Sequence, residues 1–370
     1  MKKIVVTTLA VALMTGFAPA VWSGESVVVL PHAAKRFATL PADLLFPEGI
    51  TVNPATRDIF VATFDTSDMP INALLRYSKS GKLEARLNLT PPMLGLAYNP
   101  IDRMVYFINF GQSLIQRVDA DFDASSMIDT VAAIPGIGAP GPRTVENPDG
   151  TTDLITFADG SLPTDVFPAP NALAFDSEGN LYVSDSFQGA VFVINSAHDC
   201  ATPCTPTAIS HHPLLATAGF PPFGANGLAL SADDSTLFIA NTGDDRVLSL
   251  DLNDSSASPE IFAESINGAD GMLMDRNGRL WVAANQADQV TVLDENGRVI
   301  AELGEHLGIN KDGSCHGLCF PASIVMDRNK VFVTNLALPL NGKVGDEPEE
   351  DVVTSTISVI NVPNLPGKHR

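Results

Sequence analysis

Six short segments of this chain repeat one pattern, and that periodicity constrains the fold more than any other feature. They read F-P-E-G-I-T-V around Glu48, M-L-G-L-A-Y at Leu94, P-N-A-L-A-F at Asn171, A-N-G-L-A-L at Asn226, A-D-G-M-L-M at Asp270 and P-A-S-I-V-M at Ala322. About ten residues after each comes a second apolar run: Ile59 to Ala62, Val105 to Ile108, Leu181 to Val183, Leu237 to Ala240, Leu280 to Ala283 and Val331 to Val333. Such repetition is the signature of an array in which each unit buries its apolar face against the next. Four of the six units place Glu, Asn, Asn and Asp at the same position of the pattern, so the array converges on one spot.

Length alone, 370 residues with 45% hydrophobic and 18% charged content, suggests two or more domains. Six repeats can instead close into one unit, which sets the expected domain at 24–370 after a signal. Helix-period patterns are scarce, while 27 Pro and 28 Gly punctuate many short apolar runs, which predicts an all-β protein. The cleanest repeat spells out four strands: Gly271 to Asp275, Leu280 to Ala284, Gln289 to Asp294 and Arg298 to Leu303. Arg276-Asn277-Gly278 and Glu295-Asn296-Gly297 mark tight turns between them, since both positions of an Asn-Gly pair tolerate positive φ. Four antiparallel strands make one propeller blade. Repeat starts at 48 and 94 lie 46 residues apart, 171 and 226 lie 55 apart, 226 and 270 lie 44 apart, and 270 and 322 lie 52 apart. The interval from 94 to 171 is longer and holds an insertion, expected within Asp123 to Phe167.

The last repeat ends at its third strand, near Ile357 to Val362. Lys35 to Leu40 resembles the fourth strands Lys82 to Leu87 and Arg298 to Leu303, so the N-terminal segment is expected to complete the last blade. Closure of that kind removes an exposed edge. The expected architecture is therefore an all-β, six-bladed propeller with four antiparallel strands per blade.

Residues 1–23 read as a secretory signal: Lys2 and Lys3, an apolar stretch from Ile4 to Phe17, and Ala18-Pro19-Ala20 as a small-x-small cleavage site. The expected location is periplasmic or secreted, with no membrane attachment once the signal is removed. The formal charge is −21, and loss of Lys2 and Lys3 would take it to −23; such a chain repels nucleic acid and anionic membranes. Four cysteines fall in two C-x3-C pairs, Cys200/Cys204 and Cys315/Cys319. In an exported protein local pairing in each loop is expected, and a Cys/His metal site using His198 or His316 is the rival.

First strands line the central channel of a propeller, so Glu48, Asn171, Asn226 and Asp270 should point toward its axis from four blades. Two carboxylates and two amide oxygens are hard ligands that suit Ca²⁺ or another divalent cation. They suit a soft metal poorly, because no His or Cys occupies these positions. Long segments at 123–167, 208–223, 304–320 and 336–355 are expected on the same face, where loops on a rigid scaffold form binding sites.

The E-G at Glu48, P-N at Asn171, N-G at Asn226 and D-G-x-x-x-D-x-x-G-x-L-W-V-A from Asp270 to Ala283 resemble the regucalcin (senescence marker protein)/gluconolactonase family. They also resemble the related diisopropyl fluorophosphatase and paraoxonase propellers. The resemblance implies one divalent cation, usually calcium, held by Glu48, Asn171, Asn226 and Asp270. It implies a small-molecule lactone or ester as substrate, with Asp270 as catalytic base or nucleophile. Sugar-lactonases of this family tend to read R-P-N-D where this chain has Ala169-Pro170-Asn171-Ala172, which shifts the expectation to a less polar lactone or an aryl ester. Two alternatives stand beside the hydrolase: a non-catalytic binding propeller with a structural calcium, and a lyase relying on a histidine base. Asp185, Asn241 and Asn285 end second strands on the same face and are candidates for supporting contacts. His316 is a candidate proton shuttle, and Phe223 and Trp281 read as core.

Overall fold

The computed structural model describes residues 26–157, 168–340, 345 and 347–365. The expected signal at 1–23 lies outside them. Among the described residues, six antiparallel sheets form the six expected blades. Their first, innermost strands are Pro47–Val52, Met93–Asn99, Pro170–Phe175, Ala225–Leu230, Ala269–Met274 and Pro321–Asp327. Each inner strand packs beside the inner strands of both neighbouring blades, and the last packs on the first, so the ring is closed. We number the blades 1 to 6 in that order.

Closure works as the sequence suggests. Ala34–Thr39 pairs antiparallel with Thr356–Asn361 as the outer strand of blade 6. A further short strand, Val28–Leu30, adds to blade 5 in parallel with Val299–Leu303. The N-terminal segment thus covers the outer edges of two successive blades, which blunts edges that would otherwise template pairing with another chain.

The core lies between blades rather than within them. Alternate residues of each strand face the neighbouring sheet, as period-2 patterning requires. Phe60, Val61, Tyr106, Phe107, Phe192, Trp281 and Val282 are among the fully buried side chains. Trp281 is a core residue, as expected, and its Nε1 donates to Asp275 Oδ2 at 3.1 Å. Asp275 also accepts from the backbone N–H groups of Asn277 and Arg279, at 2.8 and 3.1 Å. One carboxylate therefore holds both the hairpin turn and the buried indole. The turns fall where expected, at 276–278 and 295–297. Each is a three-residue hairpin loop whose glycine, Gly278 or Gly297, takes the left-handed position with φ of 76° and 75°, while the asparagine before it does not.

The insertion lies within the expected span, in its later part. Asp129–Ala133 is the outer strand of blade 2, and the extra chain follows it as a hairpin of Arg143–Glu146 with Thr152–Ile155. Arg143 anchors that hairpin to blade 4 through an ion pair with Asp244 at 2.8 Å.

The first cysteine pair is bridged, Cys200 to Cys204, as predicted. The second is not: Cys315 and Cys319 are free and buried. Their loop is a short hairpin, His306–Ile309 with Cys315–Gly317, which turns Cys315 toward His306 and leaves Cys319 beside Glu349.

Candidate functional site

Every inner strand carries a β-bulge at the same place. The ladder shifts register between Pro47 and Ile50, Met93 and Leu96, Pro170 and Leu173, Ala225 and Leu228, Ala269 and Met272, and Pro321 and Ile324. The residues freed from the ladder are therefore Glu48, Leu94, Asn171, Asn226, Asp270 and Ala322, each with its successor. A bulge unpairs one residue and re-aims its side chain. Here five of the six side chains so placed, all but Ala322, line one cavity. Hydroxyls satisfy the displaced backbone where the successor has a side chain: Ala172 N–H donates to Ser184 Oγ (2.9 Å) and Ser323 N–H to Thr334 Oγ1 (3.0 Å).

In the other four repeats the successor is glycine, and packing explains it. A Cβ at Gly49 would sit 2.6 Å from Leu94 O, and one at Gly95 2.7 Å from Asn171 O. At Gly227 it would collide with Asp270 O, and at Gly271 it would reach 2.7 Å from Ala322 O. The E-G, N-G and D-G dipeptides are thus where each blade's backbone meets the site-bearing residue of the next. Gly227→Ala must push the Asp270 backbone aside. Overpacking of this kind costs about 1–3 kcal/mol, so thermal or denaturant unfolding of that variant should show a loss of that size. An unchanged midpoint would mean the two inner strands are not so closely packed.

Glu48, Asn171, Asn226 and Asp270 line one cavity of about 50 Å³. All four are buried, 4–6% exposed. The cavity has two unlike halves. Its polar half comes from blades 3, 4 and 5 with Glu48 of blade 1, and also includes Thr242 and Asn285. Its apolar half is Phe64, Leu94 and Leu336, extended by Pro221, Phe223, Phe320, Leu338 and Leu340 from the long loops. Phe64, Phe110, Phe187 and Phe223 form a continuous run of ring contacts, with centroids 5.4, 6.4 and 5.6 Å apart in turn. Phe223 is therefore a wall of the cavity and not a core residue, contrary to the sequence expectation.

Hydroxyls set the orientation of both asparagines. Ser186 Oγ donates to Ala225 O at 2.7 Å, so it can only accept from Asn171, whose Nδ2 lies 3.0 Å away. Thr242 Oγ1 donates to Ala269 O at 2.7 Å and accepts from Asn226 Nδ2 at 2.9 Å. Each hydroxyl ties the asparagine of its own blade to the backbone just before the site residue of the next. Each also commits the amide nitrogen, which leaves the amide oxygen as the group offered to the cavity. In blade 5 the same position holds Asn285, whose Nδ2 donates to Asp270 Oδ2 at 3.0 Å.

Asn285 is thus the one supporting candidate that touches the site. Asp185 and Asn241 staple loops instead: Asp185 accepts from Gln188, and Asn241 donates to Leu214 O and Ala216 O. His316 is exposed and does not line the cavity, and no described lining residue is a histidine. Ser186 and Thr242 were missed. They stand one position past Asp185 and Asn241, and only the bulge register reveals that this later position faces the channel.

Two buried carboxylates on one small cavity strain its electrostatics. Burial, and then the negative charge of Asp270, push the Glu48 carboxyl well above the usual range. Burial pushes Asp270 up to about 7, partly offset by hydrogen bonds from Asn285, Asn226 and the Gly271 N–H. Glu48 Oε2 and Asn285 Oδ1 are buried with no hydrogen-bond partner among the described residues. Unpaired buried acceptors are costly. Two carboxylates, amide oxygens turned inward and orphaned acceptors together fit a hard divalent cation, which prefers oxygen ligands in flexible geometry.

Residues 222–305 match the SMP-30/Gluconolactonase/LRE-like region. A lactonase, drp35, of Staphylococcus saprophyticus is 27% identical over 142 residues, which cover 35% of this chain and 40% of that protein. The chain thus matches about two-fifths of the length of that curated relative. A luciferin-regenerating enzyme superposes with a TM-score of 0.60 at 14% identity, covering 90% of this chain and 96% of the other. Regucalcin from Agrobacterium tumefaciens, a calcium-binding protein, gives 0.59 at 16% identity, with 93% and 98% covered. Residues 222–305 therefore resemble the gluconolactonase-type sequence region, and the chain as a whole shares the six-bladed propeller fold of these solved structures.

Proposed function

We propose that this protein is an exported, calcium-dependent hydrolase that opens a lactone or cleaves an ester whose substituent is apolar. The division of the channel into a polar and an apolar half carries the reading. Glu48, Asn171, Asn226 and Asp270 would hold the cation, which when bound would polarise the scissile carbonyl and acidify water. Beside that charge the Asp270 carboxyl is ionised, the form that accepts a proton from water or attacks directly. Asn285 Nδ2, which donates to Asp270 Oδ2 at 3.0 Å, holds that carboxylate in place for the step. The apolar wall orients the substituent and excludes bulk water, which strengthens every charge interaction inside. The related lactonase and the calcium-binding neighbour support this assignment. The chain's own signal-like N-terminus supports export.

The small cavity favours a second reading, a binding propeller with a structural cation. A panel of lactones and aryl esters, graded from polar sugar lactones to alkyl-substituted rings, separates the two. The hydrolase reading expects turnover that rises with the apolarity of the substituent. No turnover across the panel would support the binding propeller.

Phe223→Ala tests the apolar wall. Burying a phenylalanine-sized surface is worth about 1.5–3 kcal/mol, so KM for an alkyl lactone should rise roughly tenfold or more, with kcat changed less. Unchanged steady-state constants would remove Phe223 from the substrate wall.

A further inference from the structure

A second cluster of metal-binding groups stands apart from the channel's oxygen ligands. His306, Cys315 and Cys319 bring their ligand atoms within 4.8 Å of one another. Both cysteines are buried, and Ala337 and Val352 pack over them. His306 Nδ1 lies 3.6 Å from Cys315 Sγ. With Zn–S near 2.3 Å and Zn–N near 2.0–2.1 Å, tetrahedral zinc holds S and N about 3.6 Å apart. On the other side, Cys319 Sγ lies 3.9 Å from Glu349 Oε1. This set is thiolate and imidazole, opposite in character to the all-oxygen channel, and such a set selects a softer ion.

We propose that His306, Cys315 and Cys319 hold a structural zinc, with the Glu349 carboxylate, which stands beside Cys319 but outside the three-residue cluster, turning in as fourth ligand. The histidine involved is not His198 or His316, the two suggested by spacing. His306 pairs with Gly317 across the short hairpin, which brings a residue nine positions upstream back onto the C-x3-C loop.

The location gives the site a consequence. Cys319 immediately precedes Phe320, and Ala337 immediately follows Leu336; Phe320 and Leu336 both line the channel. Ala337 N–H donates to Cys319 O and Leu336 N–H to Phe320 O, both at 3.2 Å. Glu349 sits on the short helix Pro348–Asp351, at the far end of the same loop. Zinc here would pin loop 304–320 to loop 336–355 and so hold the apolar wall in place. A closed four-ligand site binds metal as part of folding, so its role is structural and its loss should reach the channel through Phe320 and Leu336.

The test uses the mature chain with zinc or cobalt(II) alone as the probe. Protein prepared with zinc and dialysed against excess calcium should retain about one zinc per chain by mass spectrometry. Cobalt(II) should give a thiolate-to-metal charge-transfer band in the near ultraviolet. The Cys315→Ser/Cys319→Ser double variant should lose both signals, and His306→Ala should weaken zinc retention at least tenfold. Glu48→Gln, altered only in the channel, should keep both. Absence of the cobalt band from reduced wild-type protein would overturn the proposal. So would a Cys315–Cys319 bridge that persists in zinc-treated protein, or zinc that is lost from Glu48→Gln and kept by the double serine variant.

Discussion

Asp270→Asn is expected to lower kcat/KM by about a thousandfold while leaving the fold intact. Removal of a positioned proton acceptor costs typically 10²–10⁴-fold. The substitution keeps the shape of the side chain, and its amide oxygen can still accept from Asn285 Nδ2, which lies 3.0 Å from Asp270 Oδ2 in the native protein. The loss of a carboxylate also weakens cation binding, so turnover has to be measured at saturating calcium, with occupancy followed by calorimetry. If the variant binds calcium and turns over at the wild-type rate, Asp270 is neither base nor nucleophile. A melting temperature within a few degrees of the wild type separates lost chemistry from lost structure.

The second large effect is on stability, and it changes sign with the cation. Without an ion, burial raises the carboxyls of Glu48 and Asp270 in the folded state, Asp270 to about 7. The folded chain then binds more protons than the unfolded one between the ordinary carboxylate range near 4 and about 7. The stability these groups contribute is complete below the unfolded value and is lost as pH rises through the folded one. Chelated protein should therefore melt higher as the pH falls from about 8 toward 5. Calcium binds the ionised carboxylates and reverses this. At a hundred times its dissociation constant a ligand adds about 2.7 kcal/mol, which for a chain of this size is roughly 4 °C in Tm. The calcium-induced rise should be largest near pH 8 and shrink on acidification. Glu48→Gln should flatten the pH dependence of the chelated protein, because it removes one of the two facing charges. A calcium-induced rise that is the same at both pH values would mean the cation does not sit between Glu48 and Asp270.

Much of this architecture was legible because the repeat is written in the residues that matter. Apolar second strands gave the blade count. The likeness of Lys35–Leu40 to other outer strands predicted which segment closes the ring. The converging Glu48, Asn171, Asn226 and Asp270 were visible because they occupy one register position. Four things were not legible, for physical reasons. The bulge that aims these side chains depends on backbone pairing, and the glycine beside it looks like a turn former. Ser186 and Thr242 orient the asparagines from one residue beyond the visible strand end, and nothing in period-2 patterning distinguishes that residue from a loop. Phe223 reads as core because nothing in its local pattern distinguishes a half-buried ring facing a cavity from one packed against another blade. His306 was passed over because it meets Cys315 only through a hairpin that spacing does not announce.

The most direct test of the central claim is a calcium titration of chelator-stripped protein, with bound ion and hydrolysis of an alkyl lactone followed in the same samples. Turnover that rises in step with one saturating site, and that Asp270→Asn abolishes at full occupancy, is the predicted result. Turnover that is independent of calcium occupancy would contradict the account, as would a fully occupied site with no hydrolysis of any lactone or ester in the panel.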